Sequence, residues 1–223
     1  MGRYICGIYL SIIVLLYPQS GLTGEDPGVA KAGEAVVARV CANCHGMNGL
    51  AVQGGNSAIS PIITAQKEDY LVARLMDYRA GKIQHPQMSL IANMISEQDI
   101  QDVSEWYSLI NISSPIFGKS AAEIDRLSEN FSDKALSGKD KVVQACASCH
   151  GIDGRAIPST EAILAPNLVP QEKHVLEFRL RDYKSGRKNH PVMTPIAKGL
   201  SDQEIENISE WYGSIEFSLQ ESK

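Results

Sequence analysis

Sliding the 223-residue chain along itself by 105 positions lays Cys41–Tyr107 on Cys146–Tyr212 without a gap, and 27 of the 67 aligned residues are identical. The matches include Cys41/Cys146, Cys44/Cys149, His45/His150, Pro61/Pro166, Arg74/Arg179, Asp77/Asp182, Tyr78/Tyr183 and Gly81/Gly186. They continue through His85/His190, Pro86/Pro191, Met88/Met193, Ser96/Ser201, Trp106/Trp211 and Tyr107/Tyr212. A period this long exceeds the roughly 20 to 50 residues of a solenoid repeat, so each copy must close its own core. Two small tandem domains are expected, at 25–115 and 116–223, with the join near Ser114–Gly118.

The apolar spacing within each copy is helical. "KAGEAVVARVCANCH" and "KDKVVQACASCH" read as first helices that run into paired cysteines. "EDYLVARLMDYRAGK" and "HVLEFRLRDYKSGRK" read as second helices, with Gly81 and Gly186 just past their ends. Ser96 with Asp99, and Ser201 with Glu204, have the spacing of a capping box. Third helices follow, with Ile100, Val103, Trp106 and Ile110 on one face, and Ile205, Ile208, Trp211 and Ile215 on the other copy's. No alternating strand pattern competes, and the fold class predicted is all-α.

The cysteines carry the chemistry. Cys-x-x-Cys-His occurs twice, as Cys41, Cys44, His45 and as Cys146, Cys149, His150. This is the attachment signature of c-type haem. Thiols three residues apart share one side of a helical turn and can each form a thioether with a haem vinyl group. The adjoining imidazole then reaches the iron from the same side. A thioredoxin-type disulfide would need strands around the motif, and a zinc site would need further ligands close by. Two covalent haem c groups are therefore expected.

The opposite face of each iron needs a ligand. After its attachment motif the second copy has a single methionine, Met193, and of the first copy's Met47, Met76, Met88 and Met94 only Met88 matches it in register. Met88 and Met193 are the expected axial ligands, each placed in a loop between helices. His85 and His190, three residues earlier and also duplicated, are the rivals. They would give a lower reduction potential than a thioether does. Trp106, Tyr107, Trp211 and Tyr212 read as core aromatics, with a hydrogen bond to a haem propionate as the alternative, and Tyr78 and Tyr183 share that status. Arg74 and Arg179 either pair with propionates or lie on an exposed helix face. His174 has no histidine opposite it and receives no role.

The N-terminus differs from the rest. Arg3 precedes the 14-residue apolar run Tyr4–Tyr17, short of the roughly 20 residues of a membrane span. Residues 1–24 read as a secretory signal peptide that takes Cys6 with it, with an uncleaved anchor as the alternative. From Glu25 onward 20 Lys and Arg face 26 Asp and Glu, a formal charge of −6 that offers nothing to nucleic acid. Arg179, Arg181, Lys184, Arg187 and Lys188 crowd the segment before Met193, where the first copy has only Arg74, Arg79 and Lys82. An acidic partner docking near the second haem is one reading, and a solvated helix face is the other.

These segments, with "HPQMSLIA", "HPVMTPIAKGLSDQEI", "VSEWY" and "ISEWY", resemble the dihaem class I cytochromes of the cytochrome c4 type over nearly the whole chain after residue 24. The resemblance implies two tandem cytochrome c-like domains about a pseudo-two-fold axis, each around one covalently bound haem. It implies a periplasmic electron carrier, with no catalytic residues, working between a quinol-oxidising complex and a terminal oxidase. Peripheral association with a membrane is compatible with that role. The alternative is the dihaem cytochrome subunit of an enzyme such as flavocytochrome sulfide dehydrogenase, whose partner would be a flavoprotein subunit. A dihaem peroxidase would need one open iron.

Overall fold

The computed structural model describes residues 27–52, 60–157 and 164–220. The expected signal peptide lies outside them, as does part of the loop after each attachment motif. The first half contains α1 (Pro27–Val36), α2 (Ala42–His45), α3 (Glu68–Arg79), α4 (Pro86–Met94) and α5 (Glu97–Ser108). After the two-residue strand β1 (Ile112–Ser113) come α6 (Ala121–Asp125), α7 (Asp133–Ala145), α8 (Ala147–His150), α9 (Lys173–Ser185), α10 (Met193–Lys198) and α11 (Asp202–Gly213). A second short strand, β2 (Ser218–Leu219), ends the series. Among the described residues the fold is all-α apart from these two strands.

In each half the first and last long helices cross at a glycine. A Cβ on Gly33 would strike the backbone carbonyl of Asp102 and come within 2.9 Å of the Trp106 Cβ, and one on Gly138 would strike the carbonyl of Asn207. Gly33 and Gly138 stand in the repeat register, so the duplication carries its closest helix approach with it. The last helices start as their spacing predicts. Ser96 Oγ accepts from Asp99 N at 3.0 Å and Asp99 Oδ2 accepts from Ser96 N at 2.8 Å. Ser201 and Glu204 repeat the arrangement at 3.1 and 2.8 Å. Each box satisfies two backbone donors that the helix itself leaves unpaired.

Burial divides the chain into two cores. Val37, Leu71, Ile100, Val103 and Tyr107 centre the first, and Val142, Leu176, Ile205, Ile208, Trp211 and Tyr212 the second. Ile116 and Ile124 belong to the second, where Ile124 is wholly buried. The polar stretch between the repeats is therefore structured: α6 opens with its own capping box at Ser120 and Glu123, and α7 begins at Asp133, ahead of the repeated segment. Its apolar residues are too widely spaced to show helical periodicity. Phe131 lies over Trp211 with ring centroids 4.8 Å apart, which helps to bury Trp211 completely while Trp106 stays partly exposed.

The halves meet through residues that the repeat relates to one another. Gln66 Nε2 donates to Asn167 O at 3.0 Å and Gln66 Oε1 accepts from Asn167 N at 2.9 Å. Reciprocally, Gln171 Nε2 donates to Ile62 O at 3.1 Å and Gln171 Oε1 accepts from Ile62 N at 3.2 Å. Gln66 corresponds to Gln171 and Ile62 to Asn167 in the self-alignment, so this clasp is isologous, the contact of a two-fold dimer. β1 and β2 pair antiparallel, Ser113 opposite Ser218, with their Oγ atoms 3.0 Å apart. Those serines also correspond, so the pseudo-two-fold axis passes between them.

Candidate haem sites

Each attachment motif sits where an N-terminal helix gives way to a single further turn. In the first half α1 passes through a π-helical turn, Val37–Cys41, before α2. In the second, α7 runs to Ala145 and breaks at Cys146 before α8. Gly46 and Gly151 then take positive φ, 74° and 70°, and turn the chain away. At Gly151 a side chain would also strike the carbonyl of Arg155. The four thiols of the two motifs are free of disulfides. Burial pushes the Cys41 and Cys146 thiols up to about 11.

His45 and His150 are both buried. The Nδ1 of His45 lies 3.1 Å from Pro61 O and that of His150 3.0 Å from Pro166 O. A carbonyl only accepts, so Nδ1 carries the proton in each ring and Nε2 keeps its lone pair for a metal. Burial pulls both imidazoles below the usual histidine range, with the carbonyl contacts opposing it. That favours the neutral, ligating form.

The aromatic pairs act on the motif backbone. Tyr107 Oη donates to Gly46 O at 3.0 Å and Tyr212 Oη to Gly151 O at 2.9 Å. Trp106 Nε1 donates to Met47 O at 2.9 Å and Trp211 Nε1 to Ile152 O at 2.8 Å. The last helix thus grips the carbonyl of the residue after each histidine. These donors are committed to the main chain and are not left for a propionate.

Met88 and Met193 are placed differently from the expected loop. Met88 lies in the first turn of α4 and Met193 opens α10. His85 caps its helix through Nδ1, which accepts from Met88 N at 3.2 Å, and His190 Nδ1 accepts from Met193 N at 3.2 Å. A backbone N–H only donates, so Nδ1 of each ring is occupied as an acceptor and the ring proton sits on Nε2. The rings lie edge-on to tyrosines, His85 to Tyr78 at 6.0 Å and His190 to Tyr183 at 6.1 Å between centroids. Neither histidine offers a free lone pair in this state.

Between the halves, Arg74 and Arg179 are drawn together with Tyr70, Tyr78 and Tyr183. Burial raises all three tyrosines, Tyr70 up to about 12, and both arginines oppose the rise. Arg74 holds Asp77 at 2.7 Å, yet its buried Nε has no partner. A buried guanidinium donor left over beside both sites is what a carboxylate, such as a haem propionate, would satisfy. The donors therefore fit haem: two thiols per turn, an imidazole with Nε2 open, a thioether in register, and an unpaired cationic N–H. Among the described residues no group of three or more His, Cys, Asp or Glu side chains gathers as a zinc site would require.

The basic run before Met193 is largely neutralised within the chain. Arg181 pairs with Glu177 at 2.9 Å, Lys184 with Asp202 at 2.7 Å, and Arg187 with Asp182 at 2.7 Å. Arg179 also reaches Asp182, at 3.6 Å. Of the acidic residues, Asp182 lies within the segment itself, while Glu177 precedes it on α9 and Asp202 comes from α11, which is why a count of the cations alone overstates its charge.

Two helical units of this kind, each closed over a Cys-x-x-Cys-His turn, define a diheme c-type cytochrome. The sequence matches the family Cytochrome c over residues 30–107 and again over 135–215. Cytochrome c4 of Thiocapsa roseopersicina is 30% identical over 189 residues, covering 82% of this chain and 91% of that protein. The protein named thiosulfate dehydrogenase electron acceptor of Stutzerimonas stutzeri (strain A1501) is 28% identical over 210 residues, covering 91% of each. In fold, reduced recombinant cytochrome c4 from Pseudomonas stutzeri superposes with a TM-score of 0.65 at 23% identity, over 84% of this chain and 98% of that one. The chain belongs to the cytochrome c family, as a dihaem protein of the cytochrome c4 type, and carries two covalent haem c groups.

Proposed function

We propose that the protein is an exported electron carrier whose irons lie between His45 and Met88 and between His150 and Met193, with thioethers at Cys41, Cys44, Cys146 and Cys149. One observation carries this reading: His85 and His190 each spend Nδ1 on the amide of Met88 or Met193, leaving the methionines as the ligands presented in register. When bound, haem supplies one-electron exchange at iron, and a six-coordinate iron has no vacancy for substrate. The chain's own part is to hold the ligands still. Pro61 and Pro166 fix the ring orientations, and the Tyr107 and Tyr212 hydroxyls fix the backbone beside them. Little then needs to move when an electron arrives.

Residues 1–24 serve as the export signal to the periplasm in this reading, followed by domains at 25–115 and 116–223. The position of Ile116 in the second core supports that division. Donor and acceptor are redox proteins, either a quinol-oxidising complex and a terminal oxidase, or a dehydrogenase as donor. The name borne by the Stutzerimonas stutzeri relative supports the dehydrogenase. The test is the ferric optical spectrum of the haem-loaded protein. A sulfur-to-iron band of two-haem intensity without a high-spin signal is expected, and a missing band or a high-spin fraction would return an open iron and a catalytic role.

A further inference from the structure

The junction between the halves is built from pairs: Arg74 with Arg179, Asp77 with Asp182, Tyr78 with Tyr183 and His85 with His190. Charges that occur in such pairs act alike on two sites related by the same axis. They cannot make the sites differ. Within this cluster Tyr70 stands opposite Val175, but the charged side chain that breaks the pairing is Lys188, which stands where the first half has Ile83.

The two positions are structurally equivalent. Ile83 N donates to Asp77 O at 3.2 Å and Lys188 N to Asp182 O at 3.1 Å, each just after a glycine of positive φ, and both side chains are half-buried. Asp182, the nearest carboxylate along the chain, is already held by Arg179 and Arg187. Among the described residues Lys188 forms no ion pair of its own. Its surroundings are cationic: burial and then Arg179 pull its ammonium below the usual lysine range, with Arg74 adding to the effect and Asp182 opposing it. Lys188 also acts across the junction on His85 of the first half, whereas His190 feels Arg74. The buried carboxylates without a charged counterpart, Asp153 opposite Asn48 and Asp102 opposite Asn207, are met within their own halves, Asp153 by Arg155 at 3.1 Å and Asp102 by the Gln98 side-chain amide at 2.8 Å.

We propose that Lys188 is the residue that sets the two haems apart electrically, an unpaired cation placed at the junction by the second half alone. It rests on the reading that each half carries a His/Met haem. A fixed positive charge favours ferrous over ferric iron, because the ferric form carries one more positive charge, and the effect falls with distance. Lying off the axis, Lys188 raises one potential more than the other. Its natural counter-ion is the carboxylate that the orphaned Arg74 Nε also calls for.

The experiment is a potentiometric titration of the haem-loaded protein, followed by optical absorbance and by the haem-methyl NMR signals, for Lys188→Ile, Lys188→Arg and Ile83→Lys. In Lys188→Ile both steps should fall, one clearly more than the other, and Lys188→Arg should keep the native separation. Ile83→Lys, which restores the symmetry, should raise most the step that Lys188→Ile moves least. Equal shifts in both steps, no shift, or the same step responding most in both variants would overturn the proposal. The sulfur-to-iron band is read in the same samples. If it persists at two-haem intensity while the potentials stay fixed, the role of Lys188 fails and the His/Met reading stands. If it is absent in the native protein, the ligand reading has failed first.

Discussion

Removing the glutamine clasp should separate the stability of the two halves. Gln171→Ala deletes the two neutral hydrogen bonds that cross to the N–H and the C=O of Ile62, along with a local one from the Glu172 N–H that water can replace. At about 1 kcal/mol for each such bond, the expected cost is about 2 kcal/mol. Gln66 is buried, and its loss strands the N–H and C=O of Asn167. Gln66→Ala should therefore cost more, about 3 kcal/mol, because an unmet buried group also forfeits its solvation. The two glutamines share no partner, so the double variant should approach the sum, about 5 kcal/mol, a large part of the roughly 5 to 15 kcal/mol that holds a typical protein folded. The assay is equilibrium urea unfolding of the haem-loaded protein, read through tryptophan fluorescence and haem absorbance. The single variants should lower the midpoint, and the double variant should divide the transition in two as each core unfolds on its own. A loss below about 0.5 kcal/mol for Gln66→Ala, with one unbroken transition in the double variant, would refute the claim that these bonds couple the halves.

Four further outcomes follow from the same structure. Tyr212→Phe, which leaves the Gly151 carbonyl with the Gly154 N–H alone, should cost about 1 kcal/mol in thermal unfolding, whereas Tyr183→Phe, whose hydroxyl holds no motif carbonyl, should cost less. Gly138→Ala forces α7 away from α11 and should destabilise by about 1 to 3 kcal/mol despite alanine's better helix propensity; a neutral result would show the crossing to be loose. Met193→Ala should open one iron, seen as a high-spin ferric signal and carbon monoxide binding at one haem per chain, and Met88→Ala should do the same at the other. The Glu204 carboxyl is held down to about 2 by Lys141 and the Ser201 capping contacts. Its folded value lies below its unfolded one, so its contribution is complete above about pH 4.5 and is lost as pH falls toward 2. Glu204→Gln should flatten the acid side of the stability profile, and an unchanged slope there would count against the assignment.

Self-similarity made most of this fold legible. The capping residues Ser96 and Ser201, the terminal glycines and the attachment turns all repeat, and each has a local signature that needs no tertiary context. The aromatic pairs were legible as core but not as clamps, because which carbonyl a tyrosine hydroxyl meets depends on how two helices cross. Gly33 and Gly138 fall in the same register and lie just upstream of the aligned stretch; extending the comparison toward the N-terminus would have found them. Gln66 and Gln171 are identical within it, but an identical polar residue looks like any surface position until the halves are assembled. Register alone singles out Met88 and Met193, whereas their helical setting was hidden by the prolines beside them. The basic cluster misled for the opposite reason: Asp182 inside it, Glu177 just before it and Asp202 from α11 neutralise most of its cations, so basic residues read along one segment were not charge presented to solvent.

The reciprocal clasp and the Ser113–Ser218 pair also carry a history. A surface that recognises its own duplicate is the kind by which two identical chains associate, so a single ancestral half could have met a second molecule through these contacts before the gene doubled. With residues 114–120 joining the halves, such a contact is made within one chain, at an effective concentration on the order of millimolar for a short linker. A free dimer of this kind commonly needs about 1,200 Å² or more of buried surface to persist. A fused pair does not, and here the four glutamine hydrogen bonds, the Asn167 side-chain bond to Ala65 O and a two-residue ladder are among the contacts that cross. Fusion also released the halves from identity, and Lys188 opposite Ile83 is a difference that no symmetric dimer of one chain could have kept.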